Sequence, residues 1–163
     1  MLKYRLVTCK KEITMWSVEL AKPSEVNDLS ALLATLFSQE SEFTPNFELQ
    51  SKGLEMILET PSTGTIFVLK YEREIAGMVT LLWSISTALG GKVAWLEDMI
   101  VKPAYRNKGG GEVLLSFAIA HAKALHCKRI SLLTDVDNTQ AQAFYKRLGF
   151  IHSSMSTLRL MMA

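Results

Sequence analysis

The chain contains only two cysteines and four prolines in 163 residues. Cys9 and Cys127 cannot build the disulfide framework of a small secreted domain, so a reducing cytoplasm is the expected setting. Long apolar runs are also missing. MVTLLW at 78–83 falls far short of the roughly 20 residues that span a bilayer, and the opening MLKYRLVTCK has no apolar signal core. No membrane association is expected. The net charge of +2 gives no strong field, and basic residues do not interleave with aromatics in a stripe. Nucleic-acid binding is therefore not expected either. His121 and His126 lie five apart, off a common helical face, and His152 stands alone, so no metal site is expected.

What is present is an ordinary globular balance, 48% hydrophobic and 21% charged, in a length typical of one domain. Charge is segregated along the chain. From Lys102 to Arg129 there are Lys102, Arg106, Lys108, Lys123, Lys128 and Arg129 against Glu112 alone, whereas 39–59 carries Glu40, Glu42, Glu48, Glu55 and Glu59 against Lys52. One region suits an anion and the other a cation.

Residues 1–15 are an unassigned N-terminal extension, with a first strand within 13–20. Ser24 is expected to cap a helix carrying Val26, Leu29, Leu32, Leu33 and Leu36, and a second helix runs through FELQSKGLEMILE to Pro61. TIFVLKY (65–71) and EIAGMVTLLW (74–83) read as a hairpin turning at Glu72 and Arg73, followed by the strand KVAWLEDMIV (92–101). A helix at 112–125, a strand at 129–135, a helix at 139–148 and a final strand region at 150–162 complete an α/β domain with a mixed sheet.

At the centre of the basic region lies VKPAYRNKGGGEVLL (101–115). Gly109, Gly110 and Gly111 stand at a strand-to-helix junction, where the first helical amides lack internal partners and attract negative charge. Bare backbone there lets a phosphate reach those amides, with Arg106 and Lys108 at the rim. Neither the P-loop pattern nor the dinucleotide fingerprint is met: no lysine follows the glycines, and Leu114 stands where the latter needs its third glycine.

The ordered set Val101, Pro103, Arg106, Gly109, Gly111 and Leu114, followed by Asn138, Ala141, Phe144, Tyr145, Leu148, Gly149 and Phe150, resembles the GNAT N-acetyltransferase superfamily, and Trp95-Leu96-Glu97-Asp98 resembles its central strand. The resemblance is strongest over 95–150. It implies a single acetyltransferase domain over 1–163, with a mixed, largely antiparallel sheet flanked by helices and two central parallel strands that splay. It further implies acetyl-CoA as cosubstrate, bound by 95–150. Its pyrophosphate would rest on the amides of Asn107, Lys108, Gly109, Gly110, Gly111 and Glu112, with Arg106 shaping the loop. A strand bulge is expected near Met99, Ile100 and Val101, where freed backbone groups would meet the thioester. Gly110 departs from the resemblance by replacing an aliphatic residue; this loses about 1–3 kcal/mol of packing and predicts a looser loop.

Acetyl transfer to an amine needs a base, an aligned thioester, a stabilised oxyanion and a proton for the leaving thiolate. Strand alternation puts Glu97 and Asp98 on opposite faces. The resemblance favours Glu97 as base; a carboxylate that only attracts the amine and a structural role remain open for it, and Asp98 is the second candidate. Tyr145 is the expected acid, against a purely packing role, and Asn138 either only caps its helix or also reaches the pantetheine. The acceptor side is expected to include the early helices and 83–91. A small cationic amine is preferred over a lysine-bearing substrate, with Glu40, Glu42 and Glu48 drawing it in, and a homodimer is left open. The alternative is a non-catalytic CoA-binding or protein-interaction domain.

Overall fold

A computed structural model describes residues 16–40 and 42–162; the extension 1–15, including Cys9 and the start of the expected first strand, lies outside the described residues. Among the described residues, five strands form one sheet in sequence order: β1 (Trp16–Leu20), β2 (Gly64–Tyr71), β3 (Glu74–Ser86), β4 (Gly91–Val101) and β5 (Ile130–Leu132). Neighbours pair antiparallel except β4 and β5, which run parallel. Four helices flank it: α1 (Val26–Phe37), α2 (Phe47–Glu59), α3 (Gly110–Ala124) and α4 (Thr139–Arg147).

The sheet is covered on both faces, so its middle strands are apolar on both sides. On one face, Leu29, Leu32 and Leu33 of α1 and Leu54 of α2 pack on Ile66, Val68, Met78 and Ile100. On the other, Leu114, Leu115, Ala118 and Ala122 of α3 pack on Phe67, Leu69, Val79, Leu81, Ala94 and Leu96. The β2–β3 turn falls where expected, with Glu72 at φ 56°. Asn46 caps α2, its side chain accepting from the Leu49 amide at 3.1 Å.

Three local expectations fail. Ser24 does not cap α1; it lies in a short 3-10 turn (Pro23–Glu25), and the Glu25 carboxylate reaches back to the Lys22 amide at 2.9 Å. The helix after the glycines starts two residues early, so Gly110 and Gly111 form its first turn. The segment 150–162 adds no strand, and Ile151 and Leu158 are 90% and 94% exposed. Its serines and isolated apolar residues offer no sustained alternation that would bury one face. Among the described residues, no strand pairs beyond β5, and the parallel β4–β5 pair stands at that end of the strand order.

Candidate active site

β4 and β5 pair only through Ala94–Ile130, Trp95–Ser131 and Leu96–Leu132; β4 then continues to Val101 without β5. This is the splay, and two structures flank it: the glycine loop and a bulge.

The loop begins at a 3-10 turn (Pro103–Tyr105). Asn107 and Gly109 both take left-handed backbone, at φ 59° and 82°. The Gly109 carbonyl accepts from the Val113 amide at 3.2 Å, which leaves the Gly110, Gly111 and Glu112 amides at the open N-terminus of α3. Arg106 braces this turn: its Nε donates to the Val101 carbonyl at 2.9 Å and its guanidinium to Gln39 Oε1 at 3.3 Å. Lys108 Nζ lies 5.8 Å from the Tyr105 ring centroid. A Cβ at Gly111 would meet Val101, Met99 and Phe144 at ordinary contact distances, 3.6–3.7 Å. Gly110 differs, since a Cβ there would lie 2.9 Å from Leu69 and 3.0 Å from the Trp16 ring. The space of the missing aliphatic side chain is thus filled by an indole, which removes the packing deficit behind the expected looseness.

The bulge is on β4. Met78 pairs with Ile100 and Thr80 with Glu97, so β4 holds one residue more than β3 over this interval. The irregularity centres on Asp98, at φ 53°, slightly before the expected Met99, Ile100 and Val101. It also breaks the alternation that would have separated Glu97 from Asp98. Met78 and Ile100 pack on the α1–α2 face, and Thr80, two residues beyond Met78, shares that face. Glu97 is the cross-strand partner of Thr80 and Asp98 lies near the Thr80 hydroxyl, so both carboxylates sit on that side of the sheet. Met99 and Val101 pack towards α3 instead.

Burial drives the Asp98 carboxyl up to about 6, with Glu97 and Glu40 adding to the rise. The Thr80 hydroxyl opposes it, although that fully buried group makes no well-formed hydrogen bond among the described residues. Glu97, by contrast, is exposed. Tyr145 on α4 is pushed up to about 12, first by burial and then by Glu40. Its ring packs edge-on against Phe144 and Phe150, and Phe144 is the residue that approaches Gly111. Tyr145 and Asp98 thus share Glu40 as a charged neighbour, while Phe144, next to Tyr145, reaches the loop. Asn138 caps α4, accepting from the Ala141 amide at 3.0 Å.

Of the three acidic candidates near α1, only Glu40 enters this group. Its carboxyl is raised by burial and by Asp135, and lowered by Arg159. Glu42 pairs with Arg159, whose guanidinium lies 5.8 Å from the Phe43 ring, and Glu48 sits exposed in the first turn of α2. The 83–91 stretch forms the β3–β4 hairpin end, about 20 Å along an ideal strand from Asp98. Sequence reasoning missed Asp135, Trp16 and Thr80. A tryptophan opening a strand and a threonine within one carry no local signal of their partners. Among the described residues, no group of three or more His, Cys, Asp or Glu side chains could hold a metal ion, and no helix is long and apolar enough to cross a membrane.

Comparisons with known proteins identify the fold and the family. The uncharacterised N-acetyltransferase YhfO of Bacillus subtilis is 28% identical over 82% of this chain and 89% of its own length. An uncharacterised N-acetyltransferase of Methanocaldococcus jannaschii is 39% identical over 36% of this chain, but only about a quarter of that protein is spanned, 26%. In fold, a possible acetyltransferase from Clostridium difficile 630 superposes with a TM-score of 0.82 at 15% identity, over 91% of this chain and 99% of the other. A predicted acetyltransferase from Clostridium acetobutylicum, solved with acetyl-CoA, gives 0.74 at 16% identity over 90% and 96%. The acetyltransferase (GNAT) family model matches residues 27–150, well over half the chain, and the protein belongs to that family.

Proposed function

We propose that the protein transfers the acetyl group of acetyl-CoA directly to the primary amine of a small cationic acceptor. What supports this reading is a half-buried carboxylate in the β4 bulge, Asp98, and a half-buried phenol on α4, Tyr145, both influenced by Glu40, with the glycine-rich start of α3 near the end of β4 that β5 does not cover.

The residues fit the cosubstrate. The Gly110, Gly111 and Glu112 amides, with the amides of Asn107, Lys108 and Gly109 before them, form an anion-binding concavity backed by the helix dipole. The pantetheine arm would lie along the unpaired stretch of β4 past Met99, Ile100 and Val101, within reach of Asn138.

For the chemistry we assign Asp98 as the base and Glu97 as a carboxylate that draws the amine. Asp98 is half-buried, and its carboxyl near 6 is mostly ionised at neutral pH, yet far more basic than an ordinary aspartate. The amine nitrogen, having given its surplus proton to Asp98 directly or through water, attacks the thioester carbonyl. The C–N bond forms, the C–S bond breaks, and sulfur leaves as thiolate. Tyr145, held protonated across the neutral range, donates its O–H to that sulfur. The new amide loses its remaining proton to solvent, and the proton held by Asp98 passes through water to the Tyr145 phenolate, which restores both groups. Glu40 and Asp135 extend the negative surface beside Asp98 and favour a cation.

The test is to incubate the protein with acetyl-CoA and a panel of polyamines, aminoglycosides, amino acids and lysine peptides, following thiol release and product mass. Release that depends on one class of amine, with an acetylated product, supports the proposal. CoA binding without turnover on any amine favours the non-catalytic alternative.

A further inference from the structure

The glycine loop is fastened from below by a residue far from it in sequence. Trp16, which opens β1, lies 92 residues from its partner, and its indole Nε1 donates to the Lys108 carbonyl at 3.2 Å. The same ring fills the space that a side chain at 110 would take, 3.0 Å from where a Cβ would stand. Two tyrosines hold the indole in place, Tyr71 edge-on at 4.9 Å and Tyr105 edge-on at 6.0 Å, with 5.5 Å between their own rings. Tyr105 in turn donates to Glu74.

This bond has a directional consequence. Across a trans peptide the carbonyl of one residue and the N–H of the next point in opposite directions. When the Lys108 carbonyl turns inward to the indole, the Gly109 N–H turns outward, away from the protein. The left-handed backbone at Gly109 then carries the chain into α3 with the next amides also at the open end. Without the indole, that peptide is free to flip. A flipped peptide would present a carbonyl, a negative dipole end, to an incoming phosphate.

We infer that Trp16 is a positioning residue for the cosubstrate: it locks the 108–109 peptide so that the loop presents amides, and Gly110 is glycine to admit it. This rests on the reading of the loop as the pyrophosphate site. Trp16 touches the loop and not the reacting atoms, so its loss should act on cosubstrate affinity and leave the chemical step alone.

The experiment measures CoA affinity by calorimetry, together with KM for acetyl-CoA, KM for the amine and kcat. It compares wild type, Trp16→Phe, Trp16→Ala, and Trp16→Ala combined with Gly110→Val. Trp16→Phe keeps most of the ring and deletes the N–H, so it isolates the hydrogen bond in a protein that folds. It should weaken CoA binding about three- to tenfold, in line with the net worth of one hydrogen bond. Trp16→Ala should weaken it about tenfold or more, with kcat and amine KM within about twofold of wild type. Valine at 110 should restore part of the loss by refilling the gap. CoA affinity unchanged in Trp16→Phe and Trp16→Ala would overturn the inference, as would a fall in kcat matching the loss of affinity. If wild type itself fails to bind CoA, the loop reading fails instead, which separates the two claims.

Discussion

The two flanks of the splay are built from opposite materials. The loop at 106–111 offers backbone amides, and what packs beneath it is aromatic: Trp16, Tyr71 and Tyr105, with Arg106 tied to a carbonyl and to Gln39. The bulge at Asp98 works with side-chain charge, and its neighbours Glu97 and Glu40 make that charge costly. A site made of amides needs its peptide planes fixed and little else, because the dipoles come with the helix. A site that must accept a proton needs a carboxylate held near the edge of ionisation, which burial and like charge supply. One flank is stabilised by its contacts; the other carries strain and repulsion.

Tyr145→Phe gives the largest expected contrast. Removing the phenol should lower kcat about a hundredfold, the usual scale for a general acid, with CoA affinity within about twofold of wild type. A comparable loss of CoA affinity would place Tyr145 in the binding flank instead.

The pH dependence sharpens the contrast next. With its carboxyl raised to about 6, Asp98 is protonated and inactive as a base below that value. In the free enzyme kcat/KM should therefore fall about tenfold per pH unit below 6, while CoA affinity, resting on amides, should change far less over the same range. A parallel fall of both would erase the distinction between the flanks.

Gly109→Ala probes the loop alone. Placing a Cβ at φ 82° strains the left-handed turn, and CoA affinity should drop about fivefold, equivalent to about 1 kcal/mol. The titration curve of kcat/KM should keep its midpoint. The smallest effect is expected at Arg159→Ala. Its cation lowers the Glu40 carboxyl, so its removal should leave the acceptor wall more negative and reduce the amine KM about twofold, read in steady-state kinetics at low salt.

The same contrast explains what could be read from the chain. Gly109, Gly111, Arg106, Tyr145 and Phe150 stand at short, ordered intervals, so the loop and the helices on either side were legible from the residues, and the parallel pair from the family resemblance those residues carry. The hairpin announced itself through alternation around Glu72 and Arg73. Asp98 was legible as a carboxylate but not as one aimed beside Glu97, because one inserted strand residue reverses the face that alternation assigns. Trp16 was invisible because its role lies in a contact with residues 108 and 110 that only the folded sheet creates. The segment 150–162 read as a strand from its apolar residues, yet it lacks the alternation that would anchor one face, and in the structure it joins no strand, although Arg159 pairs with Glu42.

The central claim is that Asp98 is the base and that cosubstrate binding is independent of it. The measurement is amine-dependent acetyl transfer by wild type and Asp98→Asn at saturating acetyl-CoA, with CoA affinity and thermal stability recorded on the same preparations. The folded carboxyl near 6 lies above its unfolded value, so the folded state binds more protons between about pH 4 and 6 and its stability falls across that window. Asp98→Asn should therefore be more stable than wild type at neutral pH, by about 1–3 kcal/mol, with the gap closing below pH 4. With Asp98 as the base, transfer should fall about a hundredfold or more while CoA binding is kept and stability rises. Transfer at the wild-type rate in Asp98→Asn would contradict it.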